Sequence, residues 1–461
     1  MTAIAIAPKA TRREWIGLAV IALPCLLYAM DLTVLNLALP AISADLEPTS
    51  TQLLWIMDIY GFLVAGLLIT MGALGDRIGR RRLLLIGAAA FGVASVLAAF
   101  STSAEILIAT RAALGIAGAT LAPSTLSLIR NMFHEPDERR FAIGVWITGY
   151  SAGGAIGPLV GGVLLERFWW GSVFLAGVPV MALLLAVGPA LLPEFRDPEA
   201  GRPDLASAAL SLAAVLPVIY GIKRIAEGGA GWLPLLSILA GLAAGAVFVQ
   251  RQHRLADPLI DLRLFRAPAF SVSLATYTLG TFVAFGSFLF IAQYLQRVLG
   301  LSPLRAGLWM LPFFVGWISG SMLAPLIARR LRPAFALSAG LVLAAGGFGL
   351  LTRVDGGSAL PVLVTGSLLV SLGLAPVFTL ATDVIVGAAP PERAGAASAI
   401  SETGSELGGA LGIALLGSLA TAVYGREALT QGLQLTAAIS AAVVLATAIV
   451  AAVVLRQVRT A

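Results

Sequence analysis

The chain has 461 residues, of which 59% are hydrophobic and 12% charged, and its mean hydropathy is +0.94. Soluble domains carry about 25% charged residues, so this composition excludes a soluble globular protein and puts most of the chain in lipid. The net charge of +6 does not mark a nucleic-acid binder, because the arginines are scattered through short segments between apolar runs, as orientation signals are.

Apolar stretches of about 20 residues span a bilayer. Fourteen such spans are predicted, at 15–39, 51–74, 83–101, 104–129, 141–165, 171–192, 204–222, 231–250, 268–296, 303–328, 334–352, 358–386, 394–423 and 431–455. An even number puts both termini on one side. Twenty-two of the 30 Lys and Arg residues then fall on that side and seven on the other, with Arg111 inside a span. The asymmetry predicts cytoplasmic termini. Ahead of the first span stand Lys9, Arg12 and Arg13. A cleaved signal peptide is not expected, because Asp31 interrupts the first apolar run and no A-x-A site follows.

Between spans two and three lies Gly72-Ala73-Leu74-Gly75-Asp76-Arg77-Ile78-Gly79-Arg80-Arg81-Arg82. At a helix end, arginines can bond free carbonyls and an Asp can face a helix N-terminus. A plain topology anchor is the simpler use of the same charges. Gly320 to Arg330 repeats the pattern weakly at the end of span ten. Gly154-Ala155-Ile156-Gly157 in span five has a counterpart in Gly409-Ala410-Leu411-Gly412 of span thirteen. Both pairs are offset by eight spans. That predicts two six-span halves, 1–192 and 267–461, with a linker at 193–266 carrying two inserted spans. Such halves pack about an axis along the membrane normal with a site near the midplane.

Span five also holds Gly153, Gly157, Pro158, Gly161 and Gly162. The glycines give a smooth face for close helix contact, and Pro158 removes an amide donor. A hinge or a tight seam follows.

An ionisable group inside a span costs on the order of 3 kcal/mol on insertion scales and is a functional hypothesis by default. Six are predicted: Asp31, Asp58, Arg111, Asp383, Glu402 and Glu406. Five acids against one arginine read as an acidic interior, suited to a cation, a proton or both. A carboxylate is costly to charge in lipid, so it holds a proton until a cation replaces it. Asp31 can instead pair with Thr33 or Asn36 in helix packing, and Arg111 with an acid on span one. Glu402 and Glu406 share a helix face at i,i+4. Asp383 suits gating or an interfacial position as well as substrate contact. Lys223, Arg224 and Glu227 read as the loop between the inserted spans.

Aromatic residues can complete a cation pocket through cation–π contacts. Candidates are Trp55, Tyr60 and Tyr150 beside the charged and glycine motifs, Phe282, Phe285, Phe288 and Phe290 on span nine, and Trp309, Phe313, Phe314 and Trp317 on span ten. Lipid-facing or core packing is the plain alternative for each. His134 and His253 fall in predicted loops, so no metal site or cofactor is expected. Cys25 is the single cysteine, which excludes an internal disulfide. No loop exceeds about twenty residues and no nucleophile constellation occurs, so an enzyme is not expected.

These motifs together resemble the major facilitator superfamily, and within it the fourteen-span drug:proton antiporters typified by QacA-like multidrug exporters. Gly72 to Arg82 resembles the loop between the second and third helices. Asp31-Leu32-Thr33-Val34-Leu35-Asn36-Leu37-Ala38-Leu39-Pro40 is similar to D-x-T-V-x-N-x-A-L-P of that branch. Gly153 to Gly162 is similar to the antiporter G-x-x-x-G-P-x-x-G-G. Two positions depart: Leu114 stands where Gln is common, and Gly177 where Asn is common.

The resemblance implies an all-α transporter of the major facilitator fold, working by alternating access in a bacterial cytoplasmic membrane, as a monomer. It implies export of lipophilic organic cations (quaternary ammonium compounds, dyes, viologens) in exchange for protons. Asp31, Asp58, Arg111, Glu402 and Glu406 would couple substrate and proton. Asn36, Trp55, Tyr60, Tyr150 and Phe285 would line the cavity. Gly72, Gly75, Asp76, Arg77, Gly79, Arg80 and Asp383 would gate it. A proton-coupled exporter of one dedicated metabolite or antibiotic is the alternative.

Overall fold

The computed structural model describes residues 9–196, 204–226, 231–255, 258–355, 359–389, 394–421 and 426–457. These residues fold as helices, with no strand among them. The N-terminal group is α1 (Arg12–Leu46), α2 (Ser50–Ile78), α3 (Arg80–Ala99), α4 (Ala104–Met132), α5 (Pro136–Arg167), and a sixth span split into α6 (Ser172–Leu175) and α7 (Gly177–Leu191). The inserted pair is α8 (Leu205–Ala226) and α9 (Trp232–Arg254). The C-terminal group is α10 (Pro268–Gln293), α11 (Pro303–Arg330), α12 (Pro333–Leu351), α13 (Ala359–Gly387), α14 (Ala394–Thr421) and α15 (Arg426–Val454).

Among the described residues, thirteen helices are long and apolar enough to cross a membrane. The remaining long helix, α14, has 28 residues and carries Glu402 and Glu406. The helices outrun the apolar runs because polar caps extend them. α1 begins at a capping box in which Thr11 accepts from the Arg13 amide and Glu14 reaches back to the Thr11 backbone, and α2 begins at a second box made by Thr49 and Gln52. Such boxes satisfy the free amides of a first turn.

Two glycine ladders hold the halves together internally. On α5, Gly153, Gly157 and Gly161 face α1, where an added methyl would collide with the Leu26 carbonyl, Thr33 Oγ1 and Val34 Cγ2 respectively. On α14, Gly404, Gly408 and Gly412 face α10, where a methyl would meet Thr278 Oγ1 at 2.7 Å, the Thr278 carbonyl and the Phe282 carbonyl. The same spacing of four therefore builds the same seam in each half. Small residues allow such approach where lipid offers helices no hydrophobic drive.

The halves meet along α2–α14 and α5–α11. Their contacts gather at the end of the bundle away from the termini. There Gln293 Nε2 donates to the Asn36 carbonyl at 2.9 Å and Arg297 reaches Ser43 Oγ at 3.3 Å. Gly162 packs against Leu304, where a methyl would lie 2.5 Å from its Cα, and the Pro158 carbonyl would lie 2.5 Å from a methyl on Gly307. This far end is sealed. The inserted pair α8–α9 packs beside the α2–α14 seam.

Candidate functional site

Below the far-end seal, toward the termini, lies a cavity of about 250 Å³ between the two halves. Its N-terminal wall is Tyr28, Leu32 and Thr33 of α1 with Tyr150 and Gly154 of α5. Its C-terminal wall is aromatic: Tyr277, Phe285 and Phe288 of α10, Phe313, Phe314 and Trp317 of α11, and Phe378 of α13. These rings pack edge to face and stacked, with Phe313 and Trp317 5.9 Å apart at 27°. Glu402, Ser405 and Glu406 of α14 enter the same space, and no Lys or Arg is among the lining residues. Tyr28 donates its hydroxyl to Glu406 Oε1 at 2.5 Å, across the divide between halves.

A second, smaller cavity of about 30 Å³ adjoins the first, with Leu32, Phe285, Ser405 and Glu406 lining both. Its far wall holds Met57, Asp58 and Gly61 of α2. Asp58 is thus separated from Glu406 by one small void.

Two of the buried acids carry their own cations. Arg111 of α4 is 1% exposed, and its Nη1 lies 2.5 Å from Asp31 Oδ2. Its Nε donates to the Ile56 carbonyl at 3.2 Å, and its guanidinium sits 4.7 Å over the Tyr60 ring. Leu114, buried where the family pattern has Gln, leaves Arg111 to these partners. The second pair was not legible. Lys223 does not lie in a loop; it sits in the last turn of α8, 1% exposed, with Nζ 2.7 Å from Asp58 Oδ2 and 3.9 Å over the Trp55 ring. The expectation of a single buried cation is therefore corrected. The acidic excess belongs to the cavity and its α14 glutamates, not to the interior as a whole. Glu227 falls outside the described residues.

The remaining expectations separate. Tyr150 and Phe285 line the main cavity. Asn36, Trp55 and Tyr60 do not: Asn36 is 2% exposed in the seal, Tyr60 stacks beneath Arg111 and is fully buried, and Trp55 lies beneath Lys223. Asp383 is exposed near the terminus end of α13 and does not line the cavity. Tyr28, Tyr277 and Phe378 were missed because tyrosines and phenylalanines in apolar runs carry no local sign of which face looks inward. His253, expected in a loop, occupies the last turn of α9.

The glycine-arginine loop is knitted into the N-terminal half. Arg80 Nη2 lies 2.5 Å from Asp76 Oδ1, and Arg80 also reaches the Pro123 carbonyl. Arg81 bonds the carbonyls of Pro189 and Leu192, and its amide donates to Glu194 Oε1 at 3.0 Å. Gly79 joins α2 to α3 at φ +112°, a conformation side-chain-bearing residues rarely adopt. Gly75 leaves room for the Arg80 side chain, Gly72 faces Pro123, and Arg77 is exposed.

A two-halved helical bundle with a cavity between its halves is the architecture of an alternating-access membrane transporter. Residues 21–413 match the Major Facilitator Superfamily, and the chain belongs to that family. It is 45% identical over 420 residues to the "Multidrug efflux pump LfrA" of Mycolicibacterium smegmatis, covering 90% of this chain and 83% of that protein. It is 39% identical over 414 residues to the "Methyl viologen resistance protein SmvA" of Salmonella typhimurium, covering 88% and 82%. It is 34% identical over 415 residues to the "Tetracenomycin C resistance and export protein" of Streptomyces glaucescens, covering 90% and 77%. Among solved structures, a bacterial homologue of the human lysosomal transporter Spinster superposes with TM-score 0.68 at 18% identity, covering 97% and 98% of the two chains. The protein is a multi-pass membrane transporter and not an enzyme.

Proposed function

We propose that this transporter exports lipophilic organic cations in exchange for protons. The observation that carries the reading is the cavity itself: an aromatic wall faces two glutamates on one helix, and no lysine or arginine is among the described residues lining the space. A flat or quaternary cation fits such a site, because ring faces attract a desolvated cation by about 2 kcal/mol and a carboxylate completes the charge. The same carboxylate binds a proton when the cation is gone, so one site serves both ligands in turn. Asp31 and Asp58, each against its own cation, tune and brace this site.

Two glutamates also suit a dication. Its export against an inside-negative potential costs about 2.3 kcal/mol per charge per 100 mV, so two or more protons must return for each dication expelled. The termini and the arginine loop face the cytoplasm of a bacterial inner membrane in this scheme, and the far-end seal faces outward. A dedicated antibiotic exporter is the second reading, favoured by the relative named for tetracenomycin C.

The test is ethidium movement in proteoliposomes holding purified protein, with and without a pH gradient, for wild type and Glu406→Gln. Gradient-driven movement in wild type, lost in Glu406→Gln while the protein still melts cooperatively, supports the reading. Movement that ignores the gradient overturns proton coupling. No ethidium movement from folded wild type overturns the cation reading in favour of a dedicated cargo.

A further inference from the structure

The inserted helix α8 places a fully buried ammonium on a carboxylate of the N-terminal half. We propose that Lys223 is a positioning residue for transport: from the inserted helix it holds Asp58 charged and occupied, and so confines proton and cation exchange to the α14 glutamates. This rests on the exchange reading above.

The argument is one of charge matching. A buried ion pair with one partner removed leaves an uncompensated charge, which only a proton or a substitute cation can relieve. The charged groups facing Asp58 are few. Lys223 comes from α8 at 2.7 Å, Glu406 from α14 across the small cavity, and Arg111, committed to Asp31 of α1, from α4. Strip away Lys223 and Asp58 shares a void with Glu406, two acids with no cation among the described residues lining it. Asp58 then becomes a second proton site one void away from the first. Trp55 fixes the ammonium from beneath at 3.9 Å, so the pair is held on two sides. It also spans an interface between an inserted helix and α2, one of the two helices that form the seam between halves.

The test compares wild type, Lys223→Met, Lys223→Arg, Asp58→Asn and the double variant Lys223→Met/Asp58→Asn in nanodiscs and proteoliposomes. The first readout needs no transport: melting temperature from pH 5 to pH 9. Lys223→Met is expected to lose stability as pH rises, relative to wild type, because its lone carboxylate must shed a proton in place. The double variant is expected to regain the wild-type slope. The second readout is the pH profile of ethidium export, expected to shift by one unit or more in Lys223→Met and to return in the double variant, with Lys223→Arg near wild type.

A Lys223→Met protein with wild-type slope and wild-type pH profile overturns the proposal. So does a double variant that keeps the altered profile. If wild type moves no ethidium, the cation reading fails while the melting series still decides whether Lys223 holds Asp58 charged.

Discussion

Asp31 and Asp58 occupy equivalent predicaments: each is a carboxylate buried in a helix that crosses lipid, and each is matched by one cation on a neighbouring helix. The match sets what substitutions do. Arg111→Leu leaves Asp31 without its cation and should cost about 3–5 kcal/mol, read as a drop in melting temperature and lost transport. Arg111→Lys keeps the charge but loses the planar fork that serves Asp31 and the Ile56 carbonyl together, so it should recover only part of the loss. Phe314→Ala removes one ring from the cavity wall without touching either pair. Its expected signature is a rise of roughly 5–10-fold in the half-saturating ethidium concentration, the equivalent of about 1–1.4 kcal/mol, with the melting temperature little changed. A melting temperature that falls with it would make Phe314 a packing residue instead.

The elements were more legible than the side chains that join them. Spans announce themselves by composition over twenty residues, and each of the fourteen stretches falls on helix, thirteen of them long and apolar enough to cross a membrane. The glycine run of α5 likewise declares a close helix contact by its spacing of four. Lys223 did not declare itself. A lysine next to an arginine at the end of an apolar run looks like an anchor in a loop, and its partner lies 165 residues away in sequence on α2. Nothing local distinguishes a cation that turns outward from one that turns inward. Asn36 misled in the opposite direction, since a polar residue beside an acid reads as a site but here bonds carbonyls of its own helix.

At this scale Gly153→Val is expected to abolish folding or transport, because the Leu26 backbone leaves no space for a side chain. Recovery of transport-competent protein at wild-type yield would disprove the tight seam. Acid should loosen the inserted pair first. Burial pushes the Asp204 carboxyl up, but hydrogen bonds from Ser207 and the pair with Arg251 outweigh it and hold the group below the ordinary carboxylate range. A carboxyl lowered in the folded state contributes stability above its unfolded value of about 3.9, lost as pH falls through the folded one. Amide exchange at the start of α8 should therefore quicken as pH falls below about 4, beyond the intrinsic pH trend, and Asp204→Asn should show the faster exchange already at neutral pH.

The whole molecule is two internally welded halves, joined at the far end and bridged at the cavity by Tyr28 and Glu406. Motion must break the Gln293–Asn36 and Arg297–Ser43 contacts, since the glycine ladders within each half leave no slack. Ser43→Cys/Arg297→Cys, made in a Cys25→Ser background, should be bridged in resting protein by a short bis-methanethiosulfonate, each cysteine thiolate displacing a methanesulfinate to form a disulfide, and stop transport, with reductant restoring it. Continued transport by the bridged protein would show that the far end need not part.

The two lateral seams between the halves are not equivalent. Along α2–α14 an inserted helix lies over the join, whereas among the described residues the α5–α11 join has no such cover. The bundle therefore has one bolstered flank and one bare one. The extra helices therefore give an otherwise twofold carrier two unlike faces toward the lipid.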